Sequence, residues 1–464
     1  MARISKTVFP LQPVAFQVMI KPVGPLCNLN CSYCYYLEKQ RLYPDTRQFL
    51  LDGEILERFI RQNIEGNQVP VVQFVWQGGE PALAGIDYYR RALKIQEKYA
   101  GNKQIENVFQ TNGTLLNDEW CRFFYQNRFL VGVSLDGPKE MHDRYRVNKG
   151  GAPTWEKVMA AIALLRKHHV EFNTLTVLND FNARFPLEVY HFLKESGSGF
   201  IQFLPVAERL AVGGSPLMIT DPLYTGETVM APWSLDAELY GDFLVAVFDE
   251  WVRNDVGKVF VQQFDVTLAN WAGEMPGLCV FSAMCGDAPA IEHNGDVYSC
   301  DHFVFPQFKL GNILEKNLAV LIKSEQQLRF GADKKNLLVA GCIDCDYRFA
   351  CHGGCPKNRY LNTNTGQIDV NYFCSGYKKF FSHVHPFMQF MSDELKNKRP
   401  PANVMEWVRK NDFRNAIRGT AKHYSPKSGT SSSGSLPGRN DPCFCGSGMK
   451  FKNCCMSKLS RNRG

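Results

Sequence analysis

Between residues 15 and 206, short β-branched or apolar runs alternate with longer stretches whose apolar side chains recur every three or four positions. That is the pattern of repeated βα units. Six candidate strands read AFQVMI, VVQFVW, ENVFQT, FLVGVSL, EFNTLTVL and FIQFLPV, and the intervening stretches include ILERFIRQNI and WEKVMAAIALLRKH. Six units predict an α/β fold built on an incomplete parallel (β/α)6 barrel, with an open doubly wound sheet as the alternative. The polar strings WQGGEP, QTNGT and SLDG fall directly after candidate strands, where a barrel places its chemistry. Residues 207–235, rich in Gly, Pro and Thr, read as a long loop before an apolar helix, AELYGDFLVAVFDEWV. Asn294-Gly295 within EHNGDVYSC predicts a tight hairpin turn. The expected organisation is a barrel over 15–235, a helix and cysteine-rich domain over 236–390, a basic helix and Ser/Gly/Pro linker over 391–437, and a tethered cysteine module over 438–458.

Composition sharpens this picture at two points. The 464 residues are 45% hydrophobic and 21% charged, which excludes a disordered, collagenous or coiled-coil chain. The unusual features are 16 cysteines and a net charge of +7. The first twenty residues contain no sustained apolar run, and no stretch is long and apolar enough to span a bilayer, so a cytoplasmic protein without membrane insertion is expected. In a reducing compartment many cysteines point to metal ligation or catalysis rather than disulfides. Residues 421–464 carry eight Lys or Arg and one Asp. The excess charge therefore belongs to the tail, which predicts an acidic protein, ribosomal or nucleic-acid surface as its partner.

Cys27, Cys31 and Cys34 stand in CNLNCSYC, directly after the first candidate strand. Three thiolates leave one iron of a four-iron cluster open to a chelating molecule; a partial zinc site or buried core cysteines are the alternatives. Gly78-Gly79-Glu80-Pro81 follows the second strand, and by itself such a string is an ordinary turn. Ser134 in GVSLDGP and Arg146 in HDRYR offer a hydroxyl and a guanidinium to a carboxylate, or else serve as a strand-end turn residue and a solvated charge. The cysteine spacing, with Tyr33 before the third cysteine, resembles the radical S-adenosylmethionine (SAM) superfamily. That resemblance implies that Gly78, Gly79 and Glu80 hold the amino group of SAM, helped by Tyr33, Ser134, Arg146 and the backbone near Ala207.

Eight further cysteines follow: Cys279, Cys285 and Cys300, then Cys342, Cys345, Cys351 and Cys355 as CxxCxxxxxCxxxC, then Cys374. Eight thiolates satisfy two closed four-coordinate sites, of iron–sulfur or zinc type. This arrangement resembles the SPASM extension of radical SAM peptide-modifying enzymes. It implies one auxiliary cluster on Cys279, Cys285, Cys300 and Cys355 and another on Cys342, Cys345, Cys351 and Cys374. The strings CNLNCSYCYYLEK, WQGGEPAL, QTNGTLL, SLDGPKEMHDRYR, IQFLPVAER and GDVYSCDHF together resemble the anaerobic sulfatase-maturating enzymes over about residues 15–385.

By that resemblance the chain would bind SAM and three [4Fe-4S] clusters and draw electrons from a low-potential donor such as flavodoxin or ferredoxin. It would oxidise the Cys or Ser of a Cys/Ser-x-Pro/Ala-x-Arg segment in a sulfatase polypeptide to Cα-formylglycine. A 5′-deoxyadenosyl radical would take the Cβ hydrogen, and Asp301, next to Cys300, would be the catalytic base. The VAER string around Ala207 lacks the bulkier residues expected there. Tyr36, Gln77 and Glu208 are candidates for lining a peptide channel, whereas Cys121, on an apolar helix face, reads as core. A SPASM maturase forming thioether or carbon–carbon crosslinks is the sister reading, and a metal-dependent adaptor of the translocation or ribosomal machinery is the non-enzymatic one.

The carboxyl end reads GRNDPCFCGSGMKFKNCC. Four thiolates in so short a segment can form one tetrahedral zinc site on which folding would depend. The segment resembles the SEC-C motif, which implies Cys443, Cys445, Cys454 and Cys455 as zinc ligands.

Overall fold

The structure is a computed structural model in which residues 15–213, 217–362 and 365–411 are described. The cysteine module at 438–458, with Cys443, Cys445, Cys454 and Cys455, lies outside the described residues. All six predicted strands form: β1 (Met19–Ile20), β2 (Val71–Trp76), β3 (Gln104–Thr111), β4 (Leu130–Ser134), β5 (Phe172–Leu178) and β6 (Phe200–Pro205). They pair in parallel and in chain order. A doubly wound sheet reverses its strand order at a switch point. Here the order runs from β1 to β6 without reversal, so right-handed crossovers carry the helices to one face and curl the sheet into a partial barrel.

The crossover helices are α1 (Gly53–Gly66), α2 (Ile86–Tyr99), α3 (Asp118–Gln126), α4 (Lys139–Asp143), α5 (Trp155–Lys167) and α6 (Pro186–Glu195). On α1 the apolar positions Leu56, Phe59, Ile60 and Ile64 are buried as one stripe, as a 3.6-residue period requires. Between α2, α3 and the sheet lies an aromatic layer in which Tyr89 meets Phe109 edge-on at 5.1 Å and Trp120 at 5.7 Å. Cys121 is wholly buried, in keeping with its place on an apolar face.

Two expectations change. The segment AFQVMI pairs as a strand only at its last two residues, although Gln17 N–H also donates to Asp287 O at 2.8 Å. Residues 207–235 are not simply a loop, since β7 (Arg209–Ala211) and β8 (Thr228–Met230) pair antiparallel. Strands of three residues are too short for alternation to reveal them.

The predicted apolar helix is α7 (Ala237–Asn254), whose N-cap Asp236 accepts from the N–H groups of Glu238 and Leu239. Next, β9 (Phe260–Val261) extends the sheet beyond β6 and leads into α8 (Gln262–Ala272). The cysteine-rich region contributes β10 (Ala290–Ile291), β11 (Asp296–Tyr298) and β12 (Lys309–Asn312), an antiparallel run. Its turn closes through Glu292 N–H to Asp296 O at 2.8 Å and Gly295 N–H to Glu292 O at 2.9 Å, with Gly295 at φ +86°. That is a three-residue hairpin loop with glycine in the left-handed position. Because β10 also pairs in parallel with β1, the result is one ten-stranded sheet, β12-β11-β10-β1-β2-β3-β4-β5-β6-β9.

The helix Cys374–Lys396 packs against α7 with Gly376 against Gly241. A Cβ on Gly376 would stand 2.1 Å from the Ala237 carbonyl oxygen, and one on Gly241 2.8 Å from the Gly376 Cα. Only glycine allows this approach, and it fixes the position of Cys374, the first residue of the helix. Gly376→Ala should push the helices apart, cost about 1–3 kcal/mol in chemical denaturation, and lower iron retention. An unchanged denaturation midpoint would contradict this packing role.

Candidate functional site

The loop after β1 carries the three cysteines and is tied across the barrel mouth. Asn30 N–H donates to Val147 O at 2.8 Å and Cys34 N–H to Cys31 O at 3.0 Å. The Cys27 sulfur accepts from Leu29 N–H at 3.4 Å and from the Asn112 amide at 3.7 Å. The three thiols are one another's electrostatic neighbours. Burial pushes Cys27 up to about 11 and Cys31 up to about 12, so metal ligation here would release protons.

The GGEP segment lies directly against this loop. Gly79 N–H donates to Gly24 O at 2.9 Å and Glu80 N–H to Leu26 O at 2.8 Å. A Cβ on Gly79 would fall 1.8 Å from the Leu26 carbonyl oxygen, and Gly78 sits at φ +123°. Both positions therefore need glycine. Glu80 is wholly buried, and its carboxylate accepts from Ala82 N–H (2.9 Å), the Thr111 hydroxyl (2.8 Å) and Asn112 N–H (2.8 Å). Burial outweighs these bonds and raises its carboxyl to about 7. The carboxylate expected to help hold an amino group is thus also bonded to the end of β3, tying Thr111 and Asn112 to the motif, while the motif's backbone is bonded to the cysteine loop.

Arg146 is buried and ion-paired through Nε to Asp136 Oδ2 at 2.9 Å, with its guanidinium 5.4 Å from the Tyr33 ring centroid. The Tyr33 hydroxyl also donates to Asp136, whose other oxygen accepts from Val177 N–H at 3.0 Å. Cys31 lies within this group's electrostatic reach. Ser134 ends β4 nearby in sequence, half-buried. Ala207 is buried, and its carbonyl accepts from Lys357 Nζ at 3.1 Å and the Tyr360 hydroxyl at 3.3 Å. Lys357 in turn pairs with Glu208 at 2.8 Å. Glu208 is thereby engaged in a buried ion pair, and Tyr36 is buried with its hydroxyl donating to Glu292. Gln77 is half-buried and donates its N–H to Ile20 O at 2.9 Å.

Asp301 opens the short helical turn Asp301–Phe303 after Cys300. The pairing of β10 with β1 brings it to Lys21, the residue after β1, and the two form an ion pair with Lys21 only 1% exposed. The Tyr35 hydroxyl donates to the other Asp301 oxygen at 2.5 Å, and the Lys21 ammonium lies 4.2 Å from the Tyr36 ring centroid. Burial alone would push the Asp301 carboxyl up. The charges of Lys21 and His302 and the bonds from Lys21 and Tyr35 overcome it and hold the carboxyl below its ordinary value. Asp301 is therefore an ionised acceptor beside the three-cysteine loop.

The eight later cysteines sort into two sets. Cys279, Cys285 and Cys300 each feel the thiol of Cys355, and Cys285 and Cys300 also feel Cys279. Cys342, Cys345, Cys351 and Cys374 line one cavity together with Asn371 and Tyr377. Among the described residues no three His, Cys, Asp or Glu side chains converge on a single-ion position.

Lys21, Tyr35, Asp136 and Lys357 complete the site and were not singled out from the sequence. Asp136 had a signal, as the acid of the SLDG string. Lys21 and Lys357 had none, because their partners are distant in the chain.

A partial barrel with three clustered thiols at its mouth, joined to two four-thiol sets, defines a radical SAM enzyme. Residues 22–193 match the radical SAM superfamily, 284–346 an iron-sulfur cluster-binding domain and 439–457 the SEC-C motif. The chain is 50% identical over 389 residues to a serine-type anaerobic sulfatase-maturating enzyme of Bacteroides thetaiotaomicron, covering 84% of this chain and 94% of the relative. It is 34% identical over 372 residues to a cysteine-type anaerobic sulfatase-maturating enzyme of Clostridium novyi, covering 79% and 94%. Among solved structures it is similar to native anSMEcpe with bound AdoMet and Cp18Cys peptide, with a TM-score of 0.72 and 30% identity over 82% of this chain and 99% of that one. The chain belongs to the anaerobic sulfatase-maturating enzymes. Among the described residues no helix is long and apolar enough to cross a membrane.

Gly79→Ala tests the contact between motif and loop. It should cost about 3 kcal/mol and weaken SAM binding in equilibrium dialysis, and wild-type stability together with wild-type binding would contradict the close approach.

Proposed function

We propose that the chain oxidises a cysteine or serine of a sulfatase polypeptide, in a Cys/Ser-x-Pro/Ala-x-Arg segment, to Cα-formylglycine. The observation that carries this reading is Asp301: an ionised, half-buried carboxylate next to Cys300 and beside the three-cysteine loop, bonded to both Lys21 and Tyr35. Higher identity to the serine-type relative than to the cysteine-type one supports serine as a substrate.

In this reading Cys27, Cys31 and Cys34 hold one [4Fe-4S] cluster with an open iron. Cys279, Cys285, Cys300 and Cys355 hold a second, and Cys342, Cys345, Cys351 and Cys374 a third. The backbone of Gly78 and Gly79, with Tyr33, Ser134, Arg146 and the segment at Ala207, holds SAM. Loaded, these groups supply a 5′-deoxyadenosyl radical that removes the Cβ hydrogen and a nearby acceptor for the remaining electron.

The chain's own part is proton handling. Asp301 takes the hydroxyl or thiol proton of the substrate residue; a serine thereby reaches the aldehyde directly, whereas a cysteine gives a thioaldehyde that water hydrolyses with loss of hydrogen sulfide. Lys21 keeps that carboxylate charged despite its burial, Tyr35 orients it, and Arg146 is held in place by Asp136. The SEC-C segment carries one zinc on Cys443, Cys445, Cys454 and Cys455, and its basic surroundings suit an acidic protein or ribosomal surface. A low-potential donor such as flavodoxin or ferredoxin and a cytoplasmic setting complete the reading.

Asp301→Asn should retain three clusters and one zinc per chain by metal and sulfide analysis and still cleave SAM, yet form at least about 100-fold less aldehyde by peptide mass. Product at the wild-type rate would sink the assignment. Lys21→Met removes the main group that opposes the desolvation of Asp301, so its carboxyl should rise. A protonated carboxyl accepts no proton, so the acid limb of the pH–rate profile should move to higher pH, whereas an unmoved limb would remove Lys21 from the mechanism.

A further inference from the structure

The two four-cysteine sets are joined by Cys351-His352-Gly353-Gly354-Cys355, which gives its first cysteine to one set and its last to the other. Its three middle residues all lie in the left-handed region, at φ +46°, +74° and +63°. Wound this way, their carbonyls converge on one side chain. Arg359 donates to Gly353 O at 2.8 Å, His352 O at 2.8 Å and Gly354 O at 3.2 Å, and also to Lys334 O at 2.6 Å. A Cβ on Gly353 would lie 2.5 Å from Arg359 Nη2, so the glycine is required by the guanidinium it surrounds.

Arg359 is 5% exposed and Lys334 1%. Lys334 donates to the carbonyls of Cys279 and Val280. Among the described residues neither cation forms an ion pair with a carboxylate. A buried cation without a counter-charge costs several kcal/mol, and carbonyl dipoles offset only part of that. The remaining negative partners are sulfur. Arg359 has the thiols of Cys342 and Cys351 from one set and Cys355 and Cys285 from the other in its field. Lys334 has Cys355, Cys285 and Cys279, all from one set.

We infer that Arg359 is a positioning residue shared by the two auxiliary sites, a fixed counter-charge that raises the reduction potential of both, while Lys334 does so for the Cys279 set alone. This rests on the reading of those sites as iron–sulfur clusters. Four thiolates outweigh the positive charge of a cluster, and reduction adds one more electron, so a nearby fixed cation favours the reduced form. The left-handed turn fixes the guanidinium between the two sets, and both potentials respond to one charge.

The test is an EPR-monitored potentiometric titration of the reconstituted full-length chain, with the cluster of the three-cysteine loop as internal reference. In Arg359→Met, at the wild-type midpoints, the reduced-to-oxidised ratio should fall at least threefold for both auxiliary clusters and not for the reference. In Lys334→Met it should fall only for the cluster of the Cys279 set. Auxiliary potentials unchanged in both variants, with clusters loaded, would overturn the inference. Should Arg359→Met fail to load, Arg359→Lys and Lys334→Met decide. A near-wild-type potential in the first with a one-cluster shift in the second supports the role of charge, and no shift in Lys334→Met overturns it. Iron and sulfide for only one cluster in the wild-type chain would instead refute the cluster reading itself, before any variant is measured.

Discussion

Two residue pairs, Met19 with Ala290 and Ile20 with Ile291, join the barrel to the cysteine-rich region in one parallel register. Everything at the site depends on that register. Lys21 follows β1 directly, and Cys300 and Asp301 follow β11, the antiparallel neighbour of β10. Strand side chains alternate faces, so a slip of one residue would turn Lys21 away from Asp301. The Tyr35–Asp301 bond and the Tyr36–Glu292 bond reinforce the same alignment from the cysteine loop. A connection of only two residues per strand is thereby held by side chains as well as by backbone.

The interior is unusually rich in charge, and the pairs differ in what they do. Arg146 with Asp136 and Lys357 with Glu208 are buried pairs, the first engaging the guanidinium through Nε. Lys21 with Asp301 leaves its carboxylate partly exposed, at 15%, and so able to accept a proton. Among the described residues, the hydrogen bonds of Lys334 and Arg359 go to carbonyls. Lys21 and Arg146, near the three-cysteine loop, meet carboxylates, whereas the two cations near the eight cysteines meet backbone carbonyls.

Much of this was legible in the sequence, because the informative features are local. The βα alternation marks the six strands, the CxxxCxxC spacing marks the loop, and the NG turn marks the hairpin at Gly295. The interleaving of the eight cysteines came from resemblance rather than spacing, since nothing local links Cys300 to Cys355. What sequence could not show are partners brought together by the tertiary fold. Lys21 reads as a strand-end charge, and Glu80 as an available carboxylate until its burial and three donors are seen. The β7–β8 pair escaped because three residues cannot display a period.

The position of β1 between β2 and β10 has a consequence for biosynthesis. Its first neighbour is available early, but its second belongs to a segment far along the chain; the Tyr35–Asp301 bond alone spans 266 residues. Long-range strand pairing of this kind forms late. As the ribosome releases the chain from its amino end, the three-cysteine loop emerges into solvent with one wall of its pocket still unmade. Until the hairpin of β10 and β11 arrives, Lys21 has no Asp301 to neutralise it. The order of translation thus keeps the three-cysteine end of the enzyme unfinished until the segment that carries Asp301 and the later cysteines has been synthesised.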